Sequence, residues 1–319
     1  MQGKYSFWIK MLSCLTAGLA ITSYLIPAGE GREYWVPLSS GLFDFSLIAG
    51  MPVLGGILGV LFNALIAASL LAINTKSVNN IFNPALSVIF FLFIIFLNPG
   101  AVYFTPVHVA ALLLVWSQNC FIINQKFTSM FLLSCAALFY APLMWGVPLV
   151  LAISIVGAPD MLRVAVKSLG GIVLPVVYLL CFRYMMYADA LVFIDEYIGQ
   201  MLVFSSPFKG LTFTSLYLII CFGATVLHAI SYMFSKLHKN SIVTEHILKM
   251  ELMTFLLATV LFVLYNGDGD TPINLLVAVP VAMLYSYYFT GKINAAAARV
   301  ELILLCSAAV MSRLACFLT

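Results

Sequence analysis

Charged residues are scarce in this chain of 319 residues. Asp, Glu, Lys and Arg make up only 8% of the sequence, whereas a soluble domain carries roughly 25%. Hydrophobic residues make up 63%, and the mean hydropathy is +1.09. So few charged side chains cannot cover a water-facing globule of this size, and the apolar surface must face lipid or other helices. The composition excludes the soluble enzyme classes and predicts an all-α, polytopic membrane protein.

The sequence also lacks the patterns on which several binding functions depend. The net charge is only +3, and no basic run interleaved with aromatic residues is present, which argues against a nucleic-acid partner. The seven cysteines form no Cys-x-x-Cys pair and no Cys/His cluster at metal spacing. We interpret them as small buried hydrophobic residues. Walker loops, zincin motifs and nucleophile elbows are absent too.

The N-terminal segment resembles a signal peptide in outline. Lys4 and Lys10 precede an apolar run from Met11 to Ile26. No small-x-small cleavage site closes this run, so we predict an uncleaved first transmembrane helix.

Apolar segments recur along the whole chain and predict many membrane crossings. One of them, 127–158, is interrupted by Pro142, Gly146 and Pro148 and is too long for one crossing but short for two. We predict a helical hairpin of two short halves there, because proline breaks the helical hydrogen-bond ladder. Nine further segments approach the roughly 20 apolar residues that one crossing needs, and they are 9–26, 48–73, 84–97, 103–123, 169–186, 211–234, 252–265, 272–290 and 297–318.

The positions of the basic residues favour the hairpin. With it, about 11 membrane segments form one integral membrane domain over 1–319, with a cytoplasmic N-terminus. Eleven of the 15 Lys and Arg residues are then cytoplasmic, against seven for a single crossing, and the positive-inside rule prefers the first arrangement. We predict a multi-pass protein of the bacterial inner membrane. The eleven are Lys4, Lys10, Lys76, Lys126, Arg163, Lys167, Lys236, Lys239, Lys249, Lys292 and Arg299.

Polar residues in membrane helices are costly and indicate function by default. In this topology His108, Arg183 and Arg313 lie near the outer ends of helices, below acidic outer loops. A cavity with cations near the headgroup level and carboxylates at its mouth suits a substrate that has a phosphate and a polar head. Each of the three also has a purely structural alternative. His108 would be a histidine held by hydrogen bonds, and Arg183 and Arg313 would be arginines that snorkel to the headgroups.

Two acidic pairs could hold a divalent cation. Glu30 and Glu33 flank Arg32 just after the first helix, and one of these carboxylates could instead serve as a general base. Asp268 and Asp270 form a D-x-D pattern that suits Mg²⁺ or Mn²⁺ beside a diphosphate. The alternatives are a hydrated loop for the first pair and a tight turn for the second.

Three further features are positioned less specifically. The stretch Tyr187 to Phe204 mixes acidic and apolar residues and could form an amphipathic helix on the outer surface that gates lipid entry, or a plain connector. Asn79, Asn80 and Asn83, which lead into Pro84, predict a helix start with amide capping. His228, Glu251 and Glu301 fall in or near cytoplasmic halves, where both carboxylates suit helix N-termini.

Two resemblances extend this interpretation. The passages Met130 to Leu143, Met161 to Tyr178 and Val277 to Phe289 resemble an uncharacterised polytopic inner-membrane family of Gram-negative bacteria. The acidic loop after the first helix is similar to that of polyprenol-dependent membrane glycosyltransferases of the C-type fold. The second resemblance implies that Glu30 or Glu33 acts at the outer face.

Three functions from different classes remain open. The first is the handling of a lipid-linked sugar, such as a polyprenyl-phosphate-linked sugar, at the outer face in envelope glycan assembly. Its general base is Glu30 or Glu33, and Arg183 or Arg313 holds the phosphate, with Arg32 and His108 as further binding residues. The second is a transporter or flippase of a lipid or small amphiphile. The third is a membrane scaffold for envelope machinery.

Overall fold

The computed structural model describes residues 6–25, 51–76, 83–97, 102–155, 160–187, 190–202, 204, 213–237, 242–265, 274–291 and 295–318. All regular secondary structure within these ranges is helical, which confirms the all-α class. A short 3-10 helix spans Ala141–Trp145. The α-helices are α1 Ser6–Leu25, α2 Pro52–Lys76, α3 Pro84–Phe96, α4 Pro106–Ile122, α5 Lys126–Phe139, α6 Gly146–Ile155, α7 Met161–Tyr187, α8 Ala190–Leu202, α9 Phe213–Leu237, α10 Ile242–Tyr265, α11 Asn274–Thr290 and α12 Ala295–Leu318.

Four of these helices are long and apolar enough to cross a membrane, as expected of a helical membrane protein. The qualifying segments are Val53–Ile73, Met161–Met186, Leu216–Lys236 and Ile247–Tyr265. Other apolar helices are shorter. At 13 residues, α3 is only about 20 Å long, against a hydrocarbon core of about 30 Å. The count of about 11 membrane segments therefore stays a prediction.

Short helices form the centre of the bundle, and the long ones surround it. Twelve of the 17 residues of α11 are buried, and α11 packs against α3, α4, α9 and α10. The ring of Phe90 in α3 lies 5.0 Å from that of Tyr285 and 5.2 Å from that of Phe289, both in α11. The peripheral α2 and α7 expose many large apolar side chains. An apolar outer surface of this kind is suited to lipid.

Local signals explain the start of α3. The side chain of Asn83 accepts hydrogen bonds from the backbone of Ala85 and Leu86, and Pro84 occupies the first turn. The backbone N–H of Asn83 in turn donates to the hydroxyl of Ser286 in α11 at 2.7 Å. The capped start predicted from the sequence is confirmed, and its contact with Ser286 ties α3 to the centre of the bundle.

The segments α5 and α6 fold as a hairpin beside α7. Ser134 of α5 donates to the carbonyl of Ile172 in α7 at 3.0 Å, and Tyr197 of α8, just after α7, donates to the carbonyl of Ala137 at 2.8 Å. The C-terminal ends of α5 and α7 therefore lie at the same end of the bundle. Because α7 begins soon after α6 ends, α6 must run back along α5. The proline-rich interruption around Pro142 forms the turn.

The bundle has two ends that differ in character. The Trp145 end is defined by Trp145, Tyr197 and Tyr265. There the indole N–H of Trp145 donates to the hydroxyl of Tyr265 at 3.2 Å, and that hydroxyl donates to the carbonyl of Met201. Tyr and Trp side chains with polar tips are typical of a membrane–water interface.

The opposite end, the Lys126 end, is defined by Lys126, Lys236 and Gly291. Tyr265, the last residue of α10, lies at the Trp145 end, so the first residues of α10 lie at the Lys126 end. The last residues of α9, which precede α10 in the chain, lie at the Lys126 end as well. Most described basic residues belong to the Lys126 end, whereas Arg183 and Arg313 lie toward the other. The basic residues of the Lys126 end are Lys10, Lys126, Arg163, Lys167, Lys236, Lys249 and Arg299.

The predicted amphipathic segment after α7 is a helix, α8. Phe193 is buried against the bundle, while Asp195 and Glu196 are exposed. Burial of Tyr197, whose hydroxyl bonds to α5, raises the pKa of that phenol and keeps it neutral. The helix is thus anchored at the Trp145 end. Its place on a membrane surface and its role as a gate stay predictions.

Candidate functional site

The acidic pairs singled out from the sequence lie outside the described residues. Glu30, Arg32 and Glu33 fall in 26–50, and Asp268 and Asp270 fall in 266–273. Their proposed roles as base, phosphate partner and cation ligands stay predictions. Within the described ranges, no group of three or more His, Cys, Asp and Glu side chains could hold a metal ion.

His108 is fully buried and belongs to the start of α4. Its Nδ1 accepts from the backbone N–H of Thr105 at 3.2 Å and lies 3.1 Å from the Thr105 hydroxyl, which forms a capping box. An Nδ1 that accepts a backbone N–H leaves the proton of the neutral ring on Nε2. The ring also stacks with Phe104, with centroids 5.9 Å apart. This geometry matches the structural alternative, a hydrogen-bonded histidine, and a role in substrate binding stays untested.

Arg183 lies toward the end of α7, beside α8. Its guanidinium carbon is 5.0 Å from the ring centroid of Phe193, which is a cation–π distance. The contact joins α7 to α8. A partly exposed guanidinium at this position remains compatible with a phosphate ligand, because a planar fork can stack on a ring and still donate from its edge.

Arg313 is buried rather than exposed to headgroups. Only 7% of its surface is accessible, so it does not snorkel. Its Nη2 donates to the carbonyl of Leu19 at 3.1 Å, to the hydroxyl of Ser23 at 2.5 Å and to the carbonyl of Phe96. The side chain thereby joins α12 to the ends of α1 and α3. These bonds give it a structural role that sequence reasoning missed, and its role toward phosphate is untested.

A cluster of polar side chains lies between α9, α11 and α12. Nδ1 of His228 in α9 pairs with a carboxylate oxygen of Glu301 in α12, and the hydroxyl of Tyr288 in α11 lies 3.4 Å from the same nitrogen. One turn away, the hydroxyls of Thr225 and Tyr285 are 2.5 Å apart. We call His228, Glu301 and Tyr288 the His228 site. It brings an acid, a base and a phenol together inside the bundle.

The His228 site opens to one flank of the protein. The Glu301 side chain is 8% exposed, but that of His228 is 49% exposed. The neighbouring exposed residues include the apolar Leu227 in α9 and Val300 in α12, together with Ser231 and Arg299. Because Nδ1 is engaged by Glu301, Nε2 is the ring nitrogen that can meet a proton or a polar headgroup. The site therefore exposes polar groups beside apolar side chains.

A second carboxylate is enclosed completely. Glu251 of α10 is 0% exposed, and Gln118 of α4 is 1% exposed. The amide nitrogen of Gln118 donates to Oε2 of Glu251 at 3.4 Å. Glu251 lies nine residues into α10, about 14 Å from its start. Its interpretation as a residue that favours a helix N-terminus is therefore wrong, since the side chain is interior.

Both carboxylates lie in the half of the bundle toward the Lys126 end. His228 precedes Lys236 by eight residues, about 12 Å along α9. The sequence predicts functional polar residues at the outer ends of the helices, whereas His228, Glu251 and Glu301 lie in the opposite half of the bundle. One signal could have found them: Glu251 and Glu301 are acidic residues that directly precede long apolar runs in their helices, and charged residues in membrane helices mark functional sites by default.

The fold is the one expected of a helical membrane protein, and its described helices bury the carboxylates of Glu251 and Glu301. No protein-family model, no curated protein and no solved structure matches this chain. The function must therefore be argued from the chemistry of its own residues.

Proposed function

We propose that this chain is a multi-pass protein of the bacterial inner membrane that transports a lipid or small amphiphile. One observation carries the proposal: the His228 site opens sideways onto an apolar flank. A lipid-like substrate that enters from the bilayer needs a polar place for its headgroup beside apolar surface for its chains. An imidazole paired with a carboxylate can hold such a headgroup through hydrogen bonds and charge.

The proposal predicts that Glu301→Gln slows transport without unfolding the protein. Glutamine keeps an oxygen that accepts from Nδ1 of His228, but it removes the negative charge beside the imidazole. In proteoliposomes that carry a fluorescent short-chain phospholipid, dithionite quenching measures flipping between leaflets. We expect the variant to flip lipid about tenfold more slowly than the wild type, which corresponds to about 1.4 kcal/mol of barrier.

Glu245→Gln is the matched control. Glu245 is the acidic partner of Lys249 in a surface ion pair of α10, at 2.6 Å, so its loss should leave flipping unchanged. Wild-type vesicles that flip no faster than protein-free vesicles would contradict lipid transport. Equal rates in the wild type and Glu301→Gln would remove the His228 site from the mechanism.

The handling of a lipid-linked sugar at the outer face is a second candidate. Its support is the position of Arg183 at the Trp145 end, beside the acidic exposed surface of α8. In this case Glu30 or Glu33 is the base, Arg183 holds a phosphate, and the resemblance to C-type glycosyltransferases applies. Arg183→Gln should then weaken the binding of polyprenyl phosphate while phospholipid flipping is unaffected. Unchanged polyprenyl-phosphate binding in this variant would count against the second candidate.

A further inference from the structure

The contact between Glu251 and Gln118 leaves one oxygen atom unbonded on each side chain. Gln118 donates from its amide nitrogen to Oε2 of Glu251. Oε1 of Glu251 and Oε1 of Gln118 are both buried, and neither has a hydrogen-bond partner among the described residues. A buried acceptor without a donor is unfavourable, because it carries its full desolvation cost.

The surrounding elements supply no countercharge to Glu251 within the part of the chain that the structure describes. On α10, Glu245 and Lys249 pair with each other at the surface. On α9, His228 is paired with Glu301 of α12, and the ammonium group of Lys236 lies 5.8 Å from the ring centroid of Tyr232. An ionised Glu251 would thus be a buried charge without an ion-pair partner, which is a costly arrangement.

The other titratable groups near these helices have contacts elsewhere. In α11 the hydroxyl of Tyr285 meets Thr225, and that of Tyr288 lies near His228. The ammonium group of Lys126 lies over the ring of Phe121 in α4. Titratable residues are absent from α6, while α4 carries His108, at its far end, and Cys120.

We propose that Glu251 is a proton-binding site and that this conformation is its protonated form. A proton on Oε1 of Glu251 donates to Oε1 of Gln118 while the Gln118 amide donates to Oε2 of Glu251. The acid and the amide then close a ring of two hydrogen bonds, and one proton satisfies both unbonded oxygens. An O–H bond forms when water delivers the proton and breaks when the proton returns to water.

Release of the proton is coupled to the contact between α4 and α10. Without the proton, the carboxylate of Glu251 faces the amide oxygen of Gln118, and the two acceptors repel each other in a low dielectric. Glu251 is fully enclosed here, so exchange with water needs these helices to separate. This site shares no residue with the His228 site, and the inference goes beyond the proposed transport of lipid and does not depend on it.

Infrared difference spectroscopy of the purified full-length protein tests this inference. The wild type should show a protonated carboxyl C=O absorption at neutral pH that disappears reversibly as the pH is raised. Glu251→Gln should lack this band, because two amides can close the same ring without a titrating proton. Glu245→Gln, at the surface of the same helix, should keep it.

A substitution on the other side of the ring provides an independent readout. In Gln118→Leu the acid loses its amide partner, so the C=O absorption of Glu251 should persist but move to higher frequency. A band that is identical in the wild type and Glu251→Gln would overturn the proposal. A band unmoved in Gln118→Leu, or removed by Na⁺ at fixed pH, would overturn it as well, the last in favour of an alkali-cation site.

Discussion

Gly59→Ala should abolish or severely reduce the yield of folded protein. An added Cβ at Gly59 would lie 1.9 Å from the carbonyl oxygen of Val102 and 3.0 Å from the backbone nitrogen of Phe104. The same segment is held by a hydrogen bond from the Phe104 N–H to the carbonyl of Gly55 at 3.0 Å. The clash is with backbone, so no side-chain rotation relieves it. We expect a cost of more than about 3 kcal/mol.

Two other glycines in helices supply matched controls for this substitution. A Cβ at Gly18 in α1 or at Gly223 in α9 meets nothing within 4 Å. Alanine is favoured over glycine in a helix by about 1 kcal/mol, so both variants should be as stable as the wild type or more so. Fluorescence-detected size-exclusion chromatography with a temperature series measures all three. A Gly59→Ala protein that is monodisperse and melts with the wild type would contradict the packing of α2 on residues 102–104.

Arg313→Met should destabilise the protein by about 3 kcal/mol. The guanidinium donates to oxygens of α1 and α3, including the carbonyl of Phe96, the last residue of α3. Methionine retains the apolar stem but leaves these acceptors without their charged donor. Bonds to charged groups are worth about 1.5–3 kcal/mol, and unsatisfied groups cost more in a bilayer. The midpoint of thermal unfolding in detergent should fall clearly.

Arg299→Met is the control, because Arg299 lies on the same helix and is exposed. It should melt close to the wild type. The comparison also separates the two roles considered for Arg313. If its main role were to bind a phosphate, Arg313→Met would melt with the wild type and lose only ligand binding, and the structural role argued from its contacts would be wrong.

Features encoded by neighbouring residues were predictable from the sequence. The start of α3 follows from Asn83 and Pro84, and the hairpin turn follows from Pro142 and the residues after it. Both depend on the backbone chemistry of proline and on a local side-chain cap. The helix α8 was predictable because its acidic and apolar residues alternate with helical spacing.

The long-range partners were not predictable, for a physical reason. A helix that is apolar all round gives no periodic signal of which face points inward. The pairing of Gln118 with Glu251, 133 positions away, depends on the rotation of two such helices. So do the pairing of His228 with Glu301 and the burial of Arg313. The close approach at Gly59 left a local trace, since Gly55 and Gly59 are spaced for close helix packing.

The hairpin of α5 and α6 places Lys126, Glu251 and His228 toward one end of the bundle. It can be tested with single cysteines at Gln125, Asp160 and Glu196, which are exposed, in a chain whose seven native cysteines are replaced. A membrane-impermeant maleimide is applied to intact spheroplasts and to lysed ones. We predict that Gln125 and Asp160 react only after lysis and Glu196 reacts before it. Labelling of Gln125 and Asp160 from opposite faces would contradict the hairpin and the two-ended arrangement of the bundle.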